Sequence, residues 1–177
     1  KIFPVKSPGK GHVVRAMFEN LKEADALLIV DSDDTYFAKE ASQLIDLVYH
    51  QGIDMAVGNP LTKVDQHSLT QLRQAGNQLI IKILNGLFKS DFQDVLSGYR
   101  AFSQRFLRNV HLESEGFEIE TELTIKALQM GMKIKEIPIS YQSRPQDSKS
   151  KLSPLKDGLR IMNAVLQLRR KSNCVSK

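Results

Sequence analysis

Five consecutive apolar residues, Ala26-Leu27-Leu28-Ile29-Val30, stop abruptly at Asp31-Ser32-Asp33-Asp34. A run of strand length with no polar alternation reads as a strand buried on both faces, as in a parallel sheet covered by helices. The neighbouring patterns agree. Before the run, Val14, Met17, Phe18 and Leu21 fall at i, i+3, i+4 and i+7, which predicts an amphipathic helix ending near Ala24. After it, residues 38–51 read as a helix, and Asp54-Met55-Ala56-Val57-Gly58 reads as a second short buried strand closed by the turn signal Asn59-Pro60. Helix, strand, helix, strand in this order argues for an α/β sheet with right-handed crossovers.

Further along, residues 60–70 are polar and without periodicity, so they read as a loop. A long helix follows over about 70–88, with Leu72, Leu79, Ile83 and Leu87 on one face. Lys89 to Arg100 is dense in turn formers, and Ala101 to Val110 is too short and mixed to assign. Gly116 precedes a further helix with Ile119, Leu123, Ala127 and Met130 on a shared face. In Met132 to Tyr141, Pro138 argues for an edge strand or a bulge. Residues 144–154 are polar and read as a mobile loop, and Leu155, Leu159, Met162 and Leu166 mark a last amphipathic helix over about 155–170. No internal repeat and no dividing linker is present, so residues 1–177 read as a single domain.

Composition narrows the class. With 41% hydrophobic and 25% charged residues, disordered, collagen-like and coiled-coil readings fail. No apolar run approaches the roughly 18 residues of a spanning helix. The lone Cys174 and four scattered histidines make neither an internal disulfide nor a zinc set. The start Lys1-Ile2-Phe3-Pro4 has no secretory apolar region, and a cytoplasmic location fits. The net charge of +5 is uneven, since residues 133–177 carry 11 basic side chains against three acidic ones. That basic third suits solvent, phosphorylated ligands or an anionic membrane surface. Nucleic acid is disfavoured, because aromatics are 7% with no tryptophan and no helix interleaves cations with stacking residues.

Four clusters carry candidate chemistry. Asp31 and Asp33 follow a buried strand, where ligands of open α/β sheets sit. Carboxylates at i and i+2 of an extended segment project to one side and suit a hard cation, Mg²⁺ or Mn²⁺, with positions left for water and phosphate oxygens. The same letters also suit a strand-end turn, with Asp34 or Thr35 capping the next helix. In Asp94-Val95-Leu96-Ser97-Gly98-Tyr99-Arg100, an acid able to orient or deprotonate a nucleophile stands six residues from a cation able to meet negative charge; a capped turn and a structural ion pair are the alternative. Gly116-Phe117-Glu118-Ile119-Glu120-Thr121-Glu122 opens a helix with three acids, of which one, Glu118 as the candidate, faces a site and the other two lie at the surface. Arg144, Ser150 and Lys151 belong to a polar stretch suited to closing over a phosphate-bearing ligand, or to an ordinary linker. Gly9-Lys10-Gly11 lacks the P-loop spacing, although Lys10 can still reach a phosphate.

Taken in order, Gly9-Lys10-Gly11, Asp31-Ser32-Asp33-Asp34-Thr35-Tyr36, Asp94 to Arg100, Gly116 to Glu122, and Glu136-Ile137-Pro138-Ile139 followed by Arg144 and Ser150-Lys151-Leu152 resemble the inverting family 2 glycosyltransferases of the GT-A fold. The resemblance is greatest to the dolichol-phosphate mannose synthase-like and polyprenyl-phosphate branch. It implies an α/β/α sandwich around a mostly parallel sheet, N-terminally incomplete, because the family's opening strand and its Pro-x-Tyr-Asn-Glu motif have no counterpart here. It implies a nucleotide-sugar donor (GDP- or UDP-sugar), a lipid-phosphate or glycan acceptor, and a divalent metal on Asp31 and Asp33. Asp94 is then the catalytic candidate, Lys10 and Arg100 join the donor site, and Arg144, Ser150 and Lys151 form the phosphate-facing loop. Where relatives often carry a cation after the next strand, this chain has Gly58-Asn59-Pro60, and Arg73 is the substitute candidate. The C-terminal helix and Arg169-Arg170-Lys171 suit peripheral contact with the cytoplasmic face of a membrane. The alternative reading is a non-catalytic or degenerate domain of the same fold that binds a partner.

Overall fold

In the computed structural model, which describes residues 2–60, 71–142, 158–165 and 167, the apolar run becomes strand β1 (Ala26–Ile29). It is preceded by helix α1 (Lys10–Asn20) and followed, after one turn of 3-10 helix, by α2 (Ala41–Tyr49). Then come β2 (Met55–Asn59), α3 (Gln71–Phe88), β3 (Arg100–Ser103), α4 (Gln104–Asn109), α5 (Ile119–Gln129) and β4 (Ile134–Pro138). The sheet order is β1-β3-β2-β4. β3 pairs antiparallel with both neighbours, and β2 pairs parallel with β4. Three of the four strands therefore share one direction, as expected, while the inserted β3 makes the sheet mixed.

Alternation along the strands builds two cores. Leu27, Ile29, Met55, Val57 and Phe102 pack on one face with Val14 and Phe18 of α1, Phe106 and Leu107 of α4, and Ile119 and Leu123 of α5. Ala56 and Ala101 point to the other face and meet Leu44, Leu47 and Val48 of α2. The rings of Phe18, Phe102 and Phe106 pack edge-on or tilted with centroids 4.8 to 5.9 Å apart, and each such buried side chain adds about 1.5–3 kcal/mol from area alone. All five residues of β2 are buried, as befits a strand covered on both faces. Among the described residues β4 pairs with β2 alone, with Pro138 at its last position, where a missing N–H is tolerated.

Several local expectations are corrected. The segment 101–110 divides into β3 and α4, with Ser103 capping α4 by accepting the N–H of Phe106 at 3.2 Å. α1 ends at Asn20 rather than near Ala24. The buried stripe of α3 contains Asn77, Ile80 and Leu84, and Leu79 is 56% exposed. α5 is buried around most of its circumference, while Met130, assigned to its inner face, is 42% exposed. Of the expected loop at 60–70 only Pro60 is described, and the expected loop at 144–154 lies outside the described residues. Residues 158–165 are helical, and Ile161 and Val165 close a third cluster with Ile80 and Leu84 of α3, Val95, and Ile125 of α5. No helix among the described residues is long and apolar enough to cross a membrane.

Candidate functional site

Beyond β1 the chain turns at Asp34, whose φ of 59° is one that Asp tolerates. Asp33 accepts the Thr35 hydroxyl at 2.6 Å. Thr35 in turn accepts the N–H of Gln142 at 3.0 Å, and Tyr36 bridges to Tyr141. The stretch leading from β4 is thereby tied to the aspartate segment.

Lys10, the first residue of α1, places its ammonium between two carboxylates from distant parts of the chain. Nζ donates to Asp31 Oδ1 at 2.6 Å and to Glu120 Oε1 at 2.5 Å. The approach depends on Gly11, where a Cβ would overlap the carbonyl of Ser114 and the backbone of Glu115; the absence of a side chain lets α1 begin against that loop. Glu120 lies in the first turn of α5 and is almost fully buried. Burial works against the Lys10 ammonium, but the charges of Glu120 and Asp31 outweigh it and hold its pKa above the usual value. At Glu120 burial dominates and, with the charge of Asp31, pushes the carboxyl up, against the pull of Lys10 and Arg100.

The 97–98 segment completes this corner. A Cβ on Gly98 would overlap the Asp31 carboxylate and come within 2.8 Å of Lys10 Nζ. The Gly98 N–H donates to Tyr36 Oη at 3.2 Å. Burial, reinforced by the charges of Glu120 and Asp31, pushes the Tyr36 phenol well above its ordinary value. Three of the four sequence clusters, through Asp31, Gly98 and Glu120, therefore meet one another and Lys10 of the Gly9-Lys10-Gly11 segment.

Asp94 stands in a separate and more rigid setting. Its Oδ1 accepts from Leu96 N at 2.8 Å and Asn77 Nδ2 at 3.1 Å. Its backbone N–H and that of Gln93 donate to the two oxygens of Glu136, each at 2.9 Å. Arg100, expected to meet a diphosphate, is 2% exposed. Its guanidinium donates to Val95 O, Ser97 O and Thr124 Oγ1 at 2.8, 2.8 and 2.9 Å. These contacts commit it to holding the 95–97 turn from below and correct its assignment to the donor site.

Among the three acids of the Gly116 segment, the outcome also differs from expectation. Glu118 folds back on the backbone N–H of Gly116 at 2.9 Å. Glu122 is not at the surface: it accepts the N–H groups of Glu113 and Ser114 at 2.9 and 2.7 Å and pairs with Lys126. Glu120 is the acid that faces the site. Arg73 lies on α3, but its side chain is outside the described residues, as are Arg144, Ser150 and Lys151 altogether.

Among the described residues no group of three or more His, Cys, Asp or Glu is placed to enclose a metal. Asp31 and Asp33 nonetheless fit a hard divalent ion. They are half-buried oxygen donors separated by Ser32 at the open end of β1, an arrangement suited to a cation that fills its remaining positions with water and ligand oxygens.

No family model matches the chain. Among curated proteins it is similar to glycosyltransferase AglJ of Haloferax volcanii, with 35% identity over 150 residues, 85% of this chain and 49% of that protein. It is also similar to a dolichyl-phosphate hexose transferase of the same organism, with 27% identity over 142 residues, 80% of this chain and 60% of that one. The chain thus spans about half the length of the curated relatives it matches. Among solved structures it resembles glucosyl-3-phosphoglycerate synthase from Mycobacterium tuberculosis in complex with Mn²⁺, uridine diphosphate and phosphoglyceric acid, with a TM-score of 0.66 and 18% identity over 94% of this chain and 55% of that one. At that identity the likeness is one of fold.

Proposed function

From the premise that the chain belongs to the glycosyltransferases of the GT-A fold, we propose that it carries the metal- and diphosphate-binding part of an enzyme that moves a sugar, with inversion, from a nucleoside-diphosphate sugar to a polyprenyl phosphate or another glycan or lipid acceptor. The observation that supports this most is the meeting of Lys10, Asp31, Gly98 and Glu120 beside Asp33 at the carboxyl end of β1, where open α/β sheets bind their ligands.

Asp31 and Asp33 would hold Mg²⁺ or Mn²⁺, which when bound supplies Lewis-acid neutralisation of the diphosphate. Lys10 contributes an ammonium held at that corner by Glu120. Asp94 is the candidate beside the reacting groups. Its oxygen already takes two N–H bonds, which suits a carboxylate that orients groups more than one that exchanges protons. An acceptor phosphate is anionic before attack and needs no base, so this fits a lipid-phosphate acceptor; with a hydroxyl acceptor Asp94 would be the general base. Arg144 follows Gln142, which is bonded to Thr35, by two residues, so its proposed phosphate-facing role with Ser150 and Lys151 fits the connectivity. Peripheral contact of the basic C-terminal segment with the cytoplasmic face of a membrane belongs to the same proposal.

The test is calorimetric titration of UDP and of GDP into the chain with Mn²⁺ and then with EDTA, beside Asp31→Asn and Asp33→Asn. Metal-dependent binding that both variants lose while staying folded supports the reading, and the preferred base identifies the donor class. A folded chain that binds neither nucleotide overturns it for this chain and leaves the non-catalytic domain.

A further inference from the structure

Asp31 has two claimants. In the structure its Oδ1 belongs to Lys10, and in the proposed function the same carboxylate ligates the divalent ion. The two carboxylates that share Lys10 are unequal. The Asp31 side chain is 31% exposed at the mouth of the site, whereas that of Glu120 is 7% exposed in the first turn of a buried helix. Asp31 can therefore exchange partners with solvent ions, and Glu120 is the fixed anion. An ammonium has three N–H donors, so releasing Asp31 leaves Lys10 anchored on Glu120 with a donor to spare.

Resting on that metal reading, we propose that Lys10 and the divalent ion exchange places on Asp31, with Glu120 as the positioning residue that keeps Lys10 at the site afterwards. Lys10 occupies Asp31 Oδ1 while no ligand is present. When the metal takes Asp31, the ammonium turns its freed N–H towards the anionic diphosphate. The two cations repel less once a diphosphate lies between them, so metal and nucleotide bind cooperatively through Lys10. By linkage each raises the affinity of the other by the same factor. Gly98 fits this exchange, since a side chain there would fill the space in which Asp31 and Lys10 meet.

The test reads Mn²⁺ binding directly, by the electron paramagnetic resonance signal of free Mn²⁺, without requiring turnover. The informative variant is Lys10→Met with Glu120→Gln, which removes one positive and one negative charge together and so leaves the net charge of the corner unchanged. Mn²⁺ alone should bind this pair variant about five- to tenfold more tightly than the parent, and UDP or GDP should enhance Mn²⁺ binding less than in the parent, the remainder being direct ligation of the ion by the diphosphate. Unchanged or weaker binding of Mn²⁺ alone overturns the exchange. Should the pair variant fail to fold, Lys10→Arg serves, because a fork-shaped cation grips Asp31 more firmly; Mn²⁺ alone should then bind more weakly, and an unchanged affinity counts against the proposal. If the parent binds no Mn²⁺ in any condition, the metal reading falls and the exchange with it. Parent binding that Asp31→Asn abolishes, but that the pair variant leaves unchanged, overturns the exchange alone.

Discussion

Glu136 of β4 accepts the backbone N–H of Asp94 at 2.9 Å, and its second oxygen takes the N–H of Gln93 at the same distance. One edge-strand carboxylate thus fixes the turn that carries the catalytic candidate. Replacing it by Gln leaves one acceptor but turns an amide donor towards an N–H. Glu136→Gln should lower stability by about 1–3 kcal/mol, the usual range for losing hydrogen bonds to a charged group, and Glu136→Ala by more. Urea unfolding checks this, and a midpoint equal to the parent's would remove Glu136 from the framework.

Arg100 clamps the adjoining turn through the carbonyls of Val95 and Ser97. Arg100→Met should therefore act on folding, with a loss of about 3–5 kcal/mol, because it orphans buried acceptors and unbalances nearby carboxylates. Arg100→Lys should rescue little, since a compact ammonium cannot span both carbonyls and Thr124. Denaturant unfolding and nucleotide titration together decide the matter: weakened nucleotide binding at unchanged stability would restore Arg100 to the ligand site.

Gly98→Ala is expected to separate site from scaffold. The Gly98 backbone is outside the positive-φ region, so the obstacle is steric and lies at Asp31 and Lys10. Stability should fall by about 1–3 kcal/mol, as for other overpacked sites, while Mn²⁺ affinity falls about tenfold, equivalent to roughly 1.4 kcal/mol. Mn²⁺ titration beside thermal unfolding measures both, and unchanged metal affinity would place Gly98 away from the metal ligands.

The acid limb of stability should depend on Glu122. Burial pushes its carboxyl up, but hydrogen bonds from Ser114, Lys126 and Glu113 outweigh this and hold its pKa below the ordinary 4.5. A carboxylate with a lowered folded pKa stabilises the fold fully above its unfolded value and loses that contribution as pH falls through the folded one. Glu122→Gln should therefore be less stable than the parent at neutral pH and lose less stability on acidification below about pH 4.5. Unfolding curves over that range test it; parallel acid limbs would show that Glu122 is not the responsible group.

β1 and its carboxylate end were legible because an unbroken apolar run of strand length stops at a polar turn. The strand nonetheless lies at the sheet edge, with Leu27 and Ile29 buried, Ala26 and Leu28 half-buried and Val30 48% exposed, rather than buried on both faces as its run predicts. β3 was hidden because four residues passing straight into a short helix leave too little pattern for either period. Glu120 was hidden for another reason. α5 is buried around most of its circumference, so no solvent face separates inward from outward acids, and three carboxylates at a helix start read equally well as charges placed for the helix dipole. Arg100 looked like a ligand cation because its letter announces charge, whereas its partners are carbonyl oxygens, which are invisible in a sequence.

The sheet order also governs how quickly such a site can come into existence. Among the described residues no neighbouring pair of strands is joined by a hairpin; each register match links residues tens of positions apart. Loops of that length must close before the first ladder rung is rewarded, which places the chain among slow folders rich in non-local contacts. Lys10 and Glu120, 110 positions apart in the chain, can meet only after α1 and α5 have both docked on the sheet. In a refolding time course, helical signal should return well before Mn²⁺ capture, and the lag would time the closure of the sheet.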